Sequence, residues 1–180
     1  MTGPGFYLRK IEMWRWITNP PWQETGSNYE SPSWLPAGQL SGDCISDFET
    51  KDGRLSVFFV PADFTARAMA IGAALEGKRP TLHNFEFCLI SATTLSDLGL
   101  KAEHSPSHGI TLDSEVNDWH FDVVNLTGQN LHDLAREIKK TEIRDVVLEA
   151  EIKTTIATRL EAGTMLLSKL HEKLQKKFES

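Results

Sequence analysis

LSVFFVPADFTARAMAIGAALEG, Leu55 to Gly77, is the stretch whose reading decides the fold class. Leu55 to Val60 is rich in apolar, β-branched and aromatic side chains, and Pro61 stops the run, so a short buried strand is expected there. From Asp63 onward Ala66, Met69, Ala70, Ala73 and Ala74 recur at spacings of three and four until Gly77. That is the period of a helix with one buried face. A strand followed directly by a helix points to a layered α/β or α+β domain.

Reading outward repeats the pattern. Asp52-Gly53 makes a turn before the strand, and Asp43 or Ser41 is placed to cap a short helix through about Phe48. Gly5 to Trp16 has strand composition. Between them, residues 18–38 hold Pro20, Pro21, Pro32 and Pro36 and read as a long Pro/Trp-rich loop. On the other side, Asn84 to Ser91 and Trp119 to Val124 are expected as strands, and Leu95 to Leu98 as a short helix ended by Gly99. Lys101 to Asn117 reads as a second long loop. A helix over about Gln129 to Lys140 carries Leu131, Leu134, Ala135 and Ile138 on one face. The expectation is a mixed sheet of about four strands with flanking helices over residues 1–140.

Residues 141–180 contain no proline and are rich in Glu, Lys, Leu and Ala, which predicts a long helical extension beginning at Thr141 as N-cap. Its apolar face switches sides near residue 151: Ile143, Val146, Val147 and Ala150 cluster opposite Ile152, Ile156, Leu160, Leu167, Leu170 and Leu174. Two arrangements satisfy this. Either Lys153-Thr154-Thr155 or Gly163 bends the segment so that both faces reach one core, or the helix continues and offers its second face, with near-heptad spacing, to another protein.

Composition limits the function classes. The chain has 180 residues, is 40% hydrophobic and 24% charged, and lacks an N-terminal apolar leader or an eighteen-residue apolar run. No membrane role is expected, and a cytoplasmic location follows as the default. Cys44 and Cys88 make no disulfide framework and are expected reduced, Cys88 as core. Residues 1–138 carry 10 basic against 18 acidic side chains, net −8, whereas residues 139–180 carry 9 against 7, net +2. An acidic body opposes phosphate backbones, so nucleic acid is not an expected partner.

No glycine-rich phosphate loop, Walker sequence or G-x-S-x-G elbow is present, so neither a nucleotide cofactor nor a serine-hydrolase elbow is expected. The strongest chemical constellation is Asp118-Trp119-His120-Phe121-Asp122. On an extended strand Asp118, His120 and Asp122 share one face, with Trp119 and Phe121 turned to the core. Two carboxylates flanking an imidazole can act as an acid and base pair. His104 and His108, from HSPSH, would complete a metal set with His120. Pro106 between them argues against the helical i, i+4 geometry that gives such spacing its force.

Four of the five tryptophans, Trp14, Trp16, Trp22 and Trp34, fall in the first 34 residues. They read as a roof over the sheet, with Trp22, Tyr29 and Trp34 as the candidates for an exposed recognition loop. Two functions are therefore expected to compete. The first is a protein-binding accessory, regulatory or immunity-type subunit acting through the aromatic loop and the face Ile156, Leu160, Leu167, Leu170 and Leu174, on a partner or a second copy. The alternative is a small metal-dependent or acid/base hydrolase using Asp118, His120 and Asp122.

Overall fold

The computed structural model describes residues 5–10, 48, 50–108, 111–141 and 144–179. Among them six strands form one sheet: β1 (Gly5–Lys10), β2 (Leu55–Pro61), β3 (Phe85–Ser91), β4 (Lys101–His104), β5 (His120–Val124) and β6 (Arg144–Val147). Their order is β4-β5-β2-β1-β3-β6, and each pairing is antiparallel. The helices are α1 (Thr65–Glu76), α2 (Ala92–Asp97), α3 (Ser114–Asn117), α4 (Gly128–Thr141), α5 (Glu149–Glu161) and α6 (Glu172–Phe178), with a 3-10 turn at Leu167–Lys169. No helix among the described residues is long and apolar enough to cross a membrane.

The sheet is covered on both faces, and its strands show why. Phe58 and Val60 of β2, Phe85, Phe87 and Leu89 of β3 and Leu8 of β1 enter one apolar cluster with α1, α5 and α6. Leu55, Val57, Cys88, Ile90 and Val123 enter the other with α2 and α4. Successive side chains of a strand point to opposite faces, so a strand covered twice reads as a nearly continuous apolar run. This is the physical basis of the LSVFFV and FEFCLI patterns. The fold class is the expected one, with six strands where about four were anticipated and antiparallel pairing throughout.

The two added strands lie at the sheet edges. Lys101–His104 contains no β-branched residue and pairs with β5 on one side only, so pairing with a neighbour, not propensity, extends it. Arg144–Val147 leaves the predicted helix to pair with β3, burying Val147 in the first cluster. Tertiary pairing outweighs helix propensity over those four residues.

The terminal segment takes the bent arrangement. Helix α5 ends beside Gly163, whose φ of +71° is a conformation that glycine adopts without a Cβ penalty. The chain then returns to the end of α1, where the His171 N–H donates to the Gly77 carbonyl. Ile152, Ile156, Leu170 and Leu174 are buried in the first cluster, with Leu160 and Leu167 packed against it. The expectation that this face meets a partner or a second copy is thereby corrected for Ile156, Leu170 and Leu174: their apolar surface is already removed from water by the chain's own core. No heptad seam survives the break at Gly163. Leu148 and Leu166 are the large apolar side chains left exposed among the described residues. Trp22, Tyr29 and Trp34, with the whole stretch 18–38, lie outside the described residues.

Candidate functional site

The site is built on β5 and the turn that precedes it. Within Ser105–His108 the Ser105 carbonyl accepts the His108 backbone N–H at 3.0 Å, closing a four-residue turn with Pro106 in second place. Proline suits that position because its fixed φ is preset for the turn. One bond from the Ser105 N–H to the His120 carbonyl, 3.0 Å, carries the β4–β5 ladder one residue beyond β4. The turn therefore lies over the start of β5.

Both faces of β5 are covered, where the sequence expectation left the polar one open. His120 and Asp122 are buried, while Trp119 and Phe121 are only partly so. In the register His120 stands beside Phe58 and Asp122 beside Ser56, and the rings of Phe58 and His120 meet edge to face at 5.3 Å. Covering by the 105–108 turn explains the burial of the polar face: it supplies polar partners that permit a buried imidazole and carboxylate. Trp119 instead packs at the rim of the first cluster under the Arg67 guanidinium, 4.5 Å from its ring centroid.

Asp122 is the hub. Its Oδ2 accepts from His108 Nδ1 at 2.8 Å and lies 3.6 Å from Arg54 Nη1. The Asp122 side chain is 4% exposed and that of His108 is 55% exposed. Burial would raise the Asp122 carboxyl, but hydrogen bonds from His108 and the Ser105 hydroxyl, with the charges of His120 and His108, outweigh it and hold the pKa below its usual value. An ionised carboxylate only accepts, so the 2.8 Å bond places a proton on His108 Nδ1 and leaves Nε2 free of this partner.

His120 has a different commitment. Its Nδ1 donates to the Ser105 carbonyl at 2.9 Å, with the Ser105 hydroxyl 3.0 Å away. Its Nε2 is buried without a hydrogen-bond partner and stands 3.9 Å from Asp122 Oδ1. Burial lowers the His120 pKa, against the opposing pull of the Ser105 bond and the Asp122 charge, so the ring is neutral near pH 7.

Of the predicted acid and base set, the structure brings His120 and Asp122 together and leaves Asp118 out. Asp118 is the exposed residue that ends α3, not a strand residue, and its carbonyl accepts from His104 Nε2 at 2.9 Å. The predicted metal set His104, His108 and His120 is divided: His108 and His120 both approach Asp122, and His104 does not. His104 pairs in register with Phe121 and lies against that ring at 5.0 Å, on the face away from Asp122. Among the described residues no three His, Cys, Asp or Glu side chains come together to hold a metal ion. Sequence reasoning missed Ser105 and Arg54. The Ser-Pro pair at 105–106 was a usable turn signal for the first. Nothing local marks Arg54, because its approach to Asp122 depends on the pairing of β2 with β5.

No family model matches this chain, and no match was found among curated proteins or solved structures.

Proposed function

We propose that the chain is a small acid/base hydrolase whose general base is His108, oriented by Asp122. The single observation that carries this reading is the 2.8 Å bond between a nearly buried carboxylate and a half-exposed imidazole. A carboxylate in this position selects the Nδ1–H tautomer, fixes the ring and stabilises the imidazolium that forms when Nε2 takes a proton from water. Arg54, partly exposed beside the same carboxylate, offers a cation to an oxyanion developing nearby. The reading needs no metal.

Its test is turnover of a panel of chromogenic acyl and phosphoryl esters by the wild-type chain and by His108→Gln. Turnover that falls by about 100-fold or more in the variant is expected. Equal rates for the two proteins, or no turnover above buffer for either, overturns the reading.

A second reading, a protein-binding accessory subunit, is favoured by Leu148 and Leu166, 51% and 55% exposed. Isolated apolar residues are common on surfaces, so this is the weaker observation. A stoichiometric partner that copurifies from the native host and is lost in the double variant Leu148→Ser, Leu166→Ser would favour it over hydrolysis.

A further inference from the structure

We infer that His120 is a positioning residue: through Nδ1–H it pins the Ser105–His108 turn to β5 and thereby places His108 on Asp122. The inference rests on the hydrolase reading for its functional meaning, but its geometry stands apart from any substrate. Three bonds converge on the Ser105 backbone, besides the contacts of its hydroxyl with Asp122 and with His120 Nδ1. Its N–H donates to the His120 carbonyl at 3.0 Å, and its carbonyl accepts both the His108 N–H at 3.0 Å and His120 Nδ1–H at 2.9 Å. The same carbonyl thus joins the residue that closes the turn to the ring beneath it.

The chemistry of the acceptor decides the roles. A carbonyl oxygen can only accept, and the Ser105 hydroxyl, 3.0 Å from the same nitrogen, gives its proton to Asp122, so the contacts at Nδ1 place the proton of neutral His120 on that nitrogen. Nε2 is then a bare lone pair facing the Asp122 carboxylate, two acceptors 3.9 Å apart. That side of the ring contributes no bond to the site. His120 acts through one nitrogen, and the sequence expectation of a catalytic or metal-binding His120 is replaced by a supporting one. His108, whose own Nδ1–H reaches Asp122 Oδ2, can be aligned only if the turn that carries it stays down.

The test uses the geometry of the amide side chains. Asn at position 120 places an N–H near the imidazole Nδ1, whereas Gln places one near Nε2. His120→Asn is expected to leave hydrogen exchange at the His108 backbone amide within about threefold of wild type, and His120→Gln to speed it by about tenfold or more. Exchange at the amide of Leu134, in the opposite cluster, should stay unchanged and shows that each variant is folded. Rescue of hydrolysis by Asn but not Gln is expected in parallel. Protection retained in both variants, lost in both, or lost in Asn alone overturns the inference. Imidazole 15N spectra of the wild-type chain supply a measurement that needs no variant: His120 should show the Nδ1–H tautomer, and the Nε2–H tautomer overturns the inference. Because exchange and tautomer are read without substrate, a pinned turn in a chain that hydrolyses nothing defeats only the functional reading. An unpinned turn beside His108-dependent turnover defeats only this one.

Discussion

Leu170 occupies the space that a side chain on Gly77 would need. A Cβ built on Gly77 comes within 2.9 Å of Leu170 Cδ2 and 2.8 Å of Leu112 Cδ1, and the Gly77 carbonyl accepts the His171 N–H at 2.9 Å. The end of α1 and the chain's terminal segment are thus joined by a close approach in which an added methyl must displace the Leu112 and Leu170 side chains. Gly77 has helical φ, so space and not backbone freedom is the constraint. Gly77→Ala is expected to destabilise the fold by about 1–3 kcal/mol through overpacking, although the same change in an open helix end would be neutral or helpful. Urea unfolding of the two proteins measures the difference, and an unchanged midpoint would show that the segment yields without cost.

Arg159 of α5 reaches α3 through a 2.8 Å contact to Asp113, a carboxylate that also caps α3 by accepting the Glu115 and Val116 N–H groups. Asp113 is fully buried and the Arg159 side chain is 14% exposed. Removing Arg159 leaves the buried Asp113 charge with only its two backbone N–H donors and also breaks the 2.8 Å bond from Arg159 to Glu115 Oε2. Arg159→Met is expected to cost about 3 kcal/mol, with the loss recovered in part by the further change Asp113→Asn, which keeps a capping oxygen. The double-variant cycle in urea measures the coupling.

The two carboxylates of the Asp-x-His-x-Asp motif are expected to separate sharply. Asp122→Asn deprives His108 of its orienting acceptor and should reduce hydrolysis by ~10³-fold or more, with a wrong tautomer at His108 as the cause. Asp118→Asn alters an exposed side chain whose backbone carbonyl, not its carboxylate, receives His104, and should leave rates within about twofold. Initial rates on the most reactive ester of the panel distinguish the two.

Stability should depend on pH in two ranges. The folded pKa of His120 lies below its ordinary 6.5 because of burial, so the neutral ring contributes its full share above about pH 6.5. As pH falls below that value the unfolded chain binds a proton that the folded chain refuses, and stability declines until folded His120 itself titrates. The Asp122 carboxyl is held below 3.8, so its contribution is complete above about pH 4 and is lost as pH falls through its folded value. Urea midpoints at pH 7.5 and 5.0 should therefore differ less for His120→Asn than for wild type. Equal differences would assign the upper range to another group.

Local patterns read correctly where the physics is local. The alternation and period of Leu55–Gly77 foretold β2 and α1, and Gly77 marked the helix end, because strand and helix periodicity follow from backbone geometry within a few residues. Gly163 was likewise legible as one of two places for a bend, since its lack of a Cβ suits the left-handed turn. Pairing is another matter. Lys101–His104 and Arg144–Val147 became strands only because β5 and β3 presented free edges to them, a hydrogen-bonding opportunity created by distant residues. The burial of the site departed from expectation for the same reason. Alternation placed His120 and Asp122 on one face but carried no information about which face would be covered; the Ser105–His108 turn decided that and brought His108 to Asp122, while the pairing of β2 with β5 brought Arg54 and left Asp118 in solvent. Periodicity belongs to the chain's own backbone, whereas the partner of each polar atom is settled only when separate segments meet.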